Sequence, residues 1–178
     1  LVGLVQKDLK RLLAYSGIAH AGYMMMGMLT MNSDSGAAAI YYMTVYLFMN
    51  LACFYVIILL SQRGGNVAVS DLTGLHKRSP LLAFTLAVAA FSLAGIPPTG
   101  GFTGKLFLFV NAFRGGYLII VLIGAVNAVI AMFYYLNLVR LSYSRESEGR
   151  NAIELAFHEK ALCYLFSVFI LFLGLMPF

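Results

Sequence analysis

Three residues in this chain could move protons, and two of them lie in positions unusual for their type. Lys105 lies inside an apolar run, nine residues before Arg114. On a helix that is about 13 Å, close to the midplane of an apolar layer about 30 Å thick. A lysine at that depth costs about 2.5–3.5 kcal/mol on insertion scales. Out of water it gives up its proton more readily, as a proton relay requires. The plain alternative is a lysine snorkelling to the interface. His20 sits mid-way in a second apolar run, with Tyr23 three residues on and Ser16 four residues back on the same helical face. It is a candidate proton carrier, or else a histidine hydrogen-bonded inside a bundle. Lys10 precedes that run, as a third proton-handling candidate or as a cytoplasmic anchor like Lys7 and Arg11.

Other residues read as packing. Met24, Met25 and Met26, with Met28 and Met31, have no His or Cys at ligand spacing and fill space. Tyr41, Tyr42, Tyr134 and Tyr135 read as packing or interface residues. Cys53 and Cys163 lie in apolar runs, so neither a disulfide nor a metal site is expected. The glycines of 95–101 do not form a phosphate loop, and no haem, iron–sulfur, flavin or nicotinamide signature stands out. No catalytic residue and no bound cofactor is expected in this chain.

The elements that position these residues must lie in lipid. Of 178 residues, 61% are hydrophobic and 11% charged, and the mean hydropathy is +0.87. Too few charges are present to cover the outside of a soluble domain. The net charge of +5 reflects basic loops rather than nucleic-acid binding. The chain starts at Leu1, inside an apolar stretch, with no signal-peptide layout. An internal or C-terminal piece of a longer protein is expected.

The pattern predicts an all-α, polytopic transmembrane bundle forming one membrane domain over 1–178, with five spans and a fragment at Leu1–Val5. The spans are Leu12–Thr30, Ala37–Leu60, Pro80–Ala112, Gly116–Val139 and Ala161–Phe178. Ser33, Asp34 and Ser35 are candidate caps for the second, and Ser79 with Pro80 opens the third. The third run, some 33 residues, is too long for one straight crossing. Its middle holds Gly95, Pro97, Pro98, Gly100 and Gly101. Prolines remove backbone donors and glycines add freedom. The span should therefore break mid-membrane, which lipid tolerates only against protein or a watery cavity. The positive end of the restarted helix would lie near Lys105.

Charge sets the orientation. The loops on the side preceding the first span carry Lys7, Lys10, Arg11, Arg63, Lys77, Arg78, Arg140, Arg145, Arg150 and Lys160. The opposite side carries Arg114 alone. This asymmetry predicts that the basic loops are cytoplasmic and the C-terminus periplasmic.

Four segments resemble one family. Lys10-Arg11-Leu-Leu-Ala-Tyr15-Ser16-Gly-Ile-Ala-His20-Ala-Gly22-Tyr23 is similar to the "KRxLAYSSxxHxGY" stretch of the antiporter-like subunits of proton-pumping NADH:quinone oxidoreductase, respiratory complex I. Asp71-Leu-Thr-Gly74-Leu-His-Lys77-Arg78-Ser79-Pro80 resembles the "DLxGLxKRSP" loop of the N type. Ser92-Leu-Ala-Gly95-Ile-Pro97-Pro98-Thr-Gly-Gly101-Phe102-Thr-Gly104-Lys105 resembles "SLAGIPPxxGFxGK", the family's broken helix and its lysine. Asn127 with Tyr134-Tyr135-Leu136 resembles "NSxxSxYYYL". Gly17 and Thr103 depart from the usual Ser and Phe.

The resemblance implies the C-terminal portion of a 14-helix subunit, from the end of helix 9 through helix 14. It implies a half-channel repeat in which Lys105 is the terminal lysine of a relay coupled to quinone reduction elsewhere. FMN, iron–sulfur clusters and quinone would belong to other subunits. Neighbouring antiporter-like subunits, the bilayer and protons would be the partners, in a bacterial inner membrane. An Mrp-type Na⁺/H⁺ antiporter subunit is the runner-up. A purely structural membrane subunit is the third reading.

Overall fold

The computed structural model describes residues 2–61, 65–145 and 151–176. Arg63, Gly64, Arg150 and the last two residues of the expected fifth span lie outside the described residues. Among the described residues seven α-helices follow one another: α1 Leu9–Gly27, α2 Ser33–Leu60, the short α3 Leu75–Arg78, α4 Pro80–Ala94, α5 Gly100–Arg114, α6 Leu118–Ser142 and α7 Phe157–Leu175. Among the described residues no strand forms beyond an isolated bridge between Asp8 and Ala68.

Polar caps move the helix ends away from the ends of the apolar runs. Asp8 accepts from the Arg11 N–H at 3.1 Å, so α1 begins before Lys10 and Arg11. It ends at Gly27, followed by a 3-10 turn over Met28–Thr30. The cap of α2 is Asn32, upstream of the expected serines and aspartate. Its side chain accepts from the Ser35 N–H at 2.7 Å, and the Ser35 hydroxyl oxygen accepts from the Asn32 N–H at 3.0 Å. Together the two bonds make a capping box. Pro80 opens α4 as expected, although the Ser79 side chain makes no capping bond. The left-handed Gly116, at φ 84°, delays α6 to Leu118. Glu159 accepts from the Ala156 N–H at 2.7 Å and starts α7 at Phe157.

The expected break is present. α4 stops at Ala94 and α5 starts at Gly100. Gly95, at φ 86°, takes the left-handed conformation that ends many helices. Each half has 15 residues and rises about 22 Å, short of an apolar core about 30 Å thick. Among the described residues, three helices are long and apolar enough to cross a membrane alone, by length and composition: α2, α6 and α7. The two halves of the broken span add a composite crossing, and α1 buries Ser16, His20 and Tyr23.

α4 is the centre of the bundle and packs against α2, α6 and α7. Leu82, Ala83, Leu86, Ala89, Ala90 and Leu93 on it are fully buried. Small residues let helices approach closely, and in lipid that packing, not apolar burial, holds helices together. A second, smaller cluster of Tyr23, Met26, Tyr42, Leu108 and Ala112 joins α1, α2 and α5. The basic loops meet at one end of the bundle. The Lys77 ammonium donates to the Arg145 carbonyl at 2.6 Å, and the Val69 N–H to the Lys7 carbonyl at 2.8 Å.

Candidate functional site

The interrupted helix builds the site. Where α4 ends, its last carbonyls lose their helical partners. The Lys105 side chain, one turn into α5, runs back across Gly95 to reach them. Its ammonium donates to the Leu93 carbonyl at 2.6 Å and the Ala94 carbonyl at 3.2 Å. Lys105 is only 5% exposed. It therefore points into the bundle and does not snorkel. The ammonium meets the negative end of α4 rather than the expected positive end of α5, because a helix C-terminus presents carbonyl oxygens. It also lies 5.3 Å from the centre of the Tyr23 ring.

Glycines keep the two halves close. A Cβ on Gly101 would collide with the Ser92 carbonyl, while the Gly101 N–H donates to the Ser92 hydroxyl at 3.0 Å. The Thr99 hydroxyl donates to the Ile96 carbonyl at 2.7 Å within the break. The end of α7 seals it from outside. The Tyr41 hydroxyl donates to the Leu173 carbonyl, and the Thr103 hydroxyl donates to the Gly174 carbonyl at 3.2 Å.

His20 is 1% exposed and surrounded by tyrosines. Its Nδ1 lies 2.6 Å from the Tyr42 hydroxyl and its Nε2 3.1 Å from the Tyr135 hydroxyl. Tyr46 stacks on its face at 4.7 Å between ring centres, and Tyr23 meets it edge-on at 5.8 Å. The Tyr23 ring thus contacts both His20 and Lys105. Asn127 donates to the Tyr23 hydroxyl at 3.2 Å. Ser16 is buried on the same face, but its hydroxyl donates to its own helix, at the Leu13 carbonyl, 2.7 Å away. A cleft of about 510 Å³ between α1 and α6 opens beside Ser16, Tyr23, Asn127 and Tyr134.

Lys10 is not brought to this cluster. It is half-buried in the first turn of α1, and ten residues of helix set it about 15 Å from His20. Cys53 and Cys163 are free and buried. Among the described residues, no three His, Cys, Asp or Glu side chains gather as a metal-holding group. Tyr42 and Tyr135 are the residues that sequence reasoning missed. Each stands in an apolar run, and the sequence separations from His20 are 22 and 115 residues.

A buried lysine on the open carbonyls of a broken helix, beside a buried histidine, is one arrangement that can be compared with known proteins. The family model described as "NADH:quinone oxidoreductase/Mrp antiporter, TM" matches residues 1–131. This chain belongs to the NADH:quinone oxidoreductase/Mrp antiporter transmembrane family. It is 49% identical over 178 residues to NADH-quinone oxidoreductase subunit N 2 of Opitutus terrae, covering 99% of this chain and 37% of that protein. It is 41% identical over 152 residues to the chloroplastic NAD(P)H-quinone oxidoreductase subunit 2 of Zygnema circumcarinatum, covering 85% of this chain and 31% of that protein. The chain thus spans about a third of the length of these curated relatives.

Solved structures agree on the fold. A chain of Thermus thermophilus respiratory complex I with bound aureothin superposes with a TM-score of 0.88 at 35% identity, covering 99% of this chain and 40% of that one. A chain of the Mrp complex from Dietzia sp. gives 0.85 at 22% identity, covering 97% and 41%. The second likeness establishes the fold alone. A multi-pass membrane protein of the antiporter-like kind follows from the family.

Proposed function

We propose that this chain is a proton-translocating part of an NADH-quinone oxidoreductase subunit N, and that Lys105 is the group that takes up and releases the proton. The observation that carries this reading is the Lys105 ammonium, buried and held by the Leu93 and Ala94 carbonyls of the broken helix. Carbonyls accept hydrogen bonds but take no proton at neutral pH. The pair therefore docks the ammonium without neutralising it permanently, and a change of nearby charge can release its proton. His20, in contact with the same Tyr23 ring, is the next station. Lys10 stands at the basic end of the bundle, where it can serve as an entry or anchoring charge.

On this reading the chain performs no redox chemistry itself. Its two cysteines are buried on separate helices, a donor set that does not fit an iron–sulfur cluster, which takes four cysteines. FMN, iron–sulfur clusters and quinone belong to other subunits, and quinone reduction there shifts the charge that drives Lys105. The partners are neighbouring antiporter-like membrane subunits in a bacterial inner membrane. The basic loops face the cytoplasm and the opposite end faces the periplasm. An Mrp-type subunit shares the fold, but the identity to subunit N relatives reaches 49% against 22% for the Mrp structure.

The deciding experiment uses the assembled complex in liposomes, with the full-length subunit. Lys105→Ala should lower the proton gradient built per NADH oxidised while the complex still assembles. Lys105→Arg should also impair it, because a guanidinium hardly deprotonates. A normal gradient with Lys105→Ala would leave the lysine a structural anchor.

A further inference from the structure

Both ring nitrogens of His20 are occupied by phenols. The Tyr42 hydroxyl lies 2.6 Å from Nδ1 and the Tyr135 hydroxyl 3.1 Å from Nε2. A neutral imidazole has one N–H and one lone pair. One phenol must therefore donate to His20 and the other must accept from it. One face of the ring is covered as well, since Tyr46 stacks at 4.7 Å. Tyr42 and Tyr135 are each 0% exposed. In the plane of the ring, a proton arriving at or leaving His20 must cross a phenol oxygen.

The position of Tyr42 is set by a glycine next to the lysine. A Cβ on Gly104 would lie 2.6 Å from Cδ2 of Tyr42 and 3.4 Å from its Cα. Only a bare backbone at 104 lets α5 come this close to α2. The residue before Lys105 thus seats the phenol that bonds His20. On the other side, the Tyr135 ring lies 4.5 Å from that of Tyr134, which lines the cleft between α1 and α6.

We infer that Tyr42 and Tyr135 are proton-passing groups on the two sides of His20, and that Gly104 is the seat that keeps Tyr42 in place. The inference rests on the proton-translocating reading above. The step balances. A proton adds to the Tyr42 oxygen as that oxygen's own proton forms an N–H bond at Nδ1. The Nε2–H bond breaks and its proton adds to the Tyr135 oxygen, which releases its own proton toward the cleft. One proton enters, one leaves, and no electrons move. The transfer leaves the proton of His20 on Nδ1, and tautomer exchange at the imidazole with turning of both hydroxyls restores the starting state. Among the described residues, the other ionisable groups facing this path are Lys105, Tyr23, Tyr46, Tyr134 and the buried Cys53.

The test compares Lys105→Ala, Tyr42→Phe, Tyr135→Phe and Gly104→Ala in the full complex in liposomes. Proton gradient per NADH oxidised is read beside NADH oxidation by an artificial acceptor. Lys105→Ala should abolish pumping. Each Tyr→Phe change should lower the gradient at least tenfold while leaving artificial-acceptor oxidation unchanged. Gly104→Ala should mimic Tyr42→Phe, with the double variant no worse than either single one. 3-Fluorotyrosine at position 42, which keeps ring and hydroxyl, should restore pumping. Should the Tyr42→Phe complex fail to assemble, tyrosines of graded fluorination decide instead. The pumping rate should then follow hydroxyl acidity, and a constant rate overturns the inference. Normal pumping by both Tyr→Phe variants, with Lys105→Ala inactive, overturns it and leaves the lysine relay standing. Normal pumping by Lys105→Ala overturns both.

Discussion

The Lys105 ammonium donates to the Leu93 carbonyl at 2.6 Å, across the gap where one helix stops and the next begins. The bond explains why the interruption and the lysine occur together. An unbroken helix would use its carbonyls internally and leave a buried ammonium without acceptors, at a cost of several kcal/mol. The break supplies the acceptors, and the lysine satisfies carbonyls that lipid could not.

Gly95→Ala tests that coupling. Gly95 sits at φ 86°, and an added Cβ would lie 3.1 Å from Cδ of Lys105. The left-handed conformation alone costs a non-glycine residue about 1–2 kcal/mol. The methyl also pushes the lysine stem from its path. The expected outcome is a complex with a lower melting temperature and proton pumping reduced several-fold. Unchanged pumping would show that the stem can pass Gly95 by another route.

Gly101→Ala should be harsher on folding. Its Cβ would run into the Ser92 carbonyl, a backbone atom with no rotamer to escape into. Overpacking of this kind costs about 1–3 kcal/mol or more. Assembly yield and thermal unfolding of the detergent-solubilised complex should both fall, more than for Gly22→Ala, where nothing lies within 4 Å.

The interruption was legible in the sequence because its cause is local: prolines without donors and glycines without Cβ atoms between two apolar runs. The burial of His20 and Lys105 was legible for a similar reason, as ionisable groups far from any loop. Helix ends were less so. A cap such as Asp8 or Asn32 acts through one hydrogen bond and moves a boundary by a turn without changing hydropathy. Tyr42 and Tyr135 were illegible because a tyrosine in an apolar run satisfies packing equally well. Only the docking of α2 and α6 onto α1 brings their hydroxyls to one imidazole.

Tyr41→Phe should loosen the end of α7. The Tyr41 hydroxyl donates to the Leu173 carbonyl, one residue before the Gly174 carbonyl held by Thr103. Loss of one such bond typically costs about 1 kcal/mol. Thr103→Val removes the second. The double variant should exchange the amides near Leu173 with deuterium faster than either single variant. Equal exchange in all three would mean that backbone packing of Gly174 against Pro98 and Gly100 suffices.

Sidedness is tested by cysteine labelling. Lys77 and Arg145 are joined by a hydrogen bond from the Lys77 ammonium to the Arg145 carbonyl at 2.6 Å, so they share one end of the bundle. Arg114, at the end of α5, belongs with Asp34, whose carbonyl lies 3.5 Å from the Asn111 amide nitrogen. Lysine and arginine are retained in short loops on the cytoplasmic side, and the basic loops gather at the first end. In intact cells, an impermeant maleimide should therefore leave Lys77→Cys and Arg145→Cys unlabelled and should label Arg114→Cys. After the cells are opened all three should react, which separates sidedness from simple burial. Labelling of position 77 or 145 from outside would invert the bundle in the membrane. In the proposed relay, inversion would also reverse the direction in which Lys105 hands on its proton.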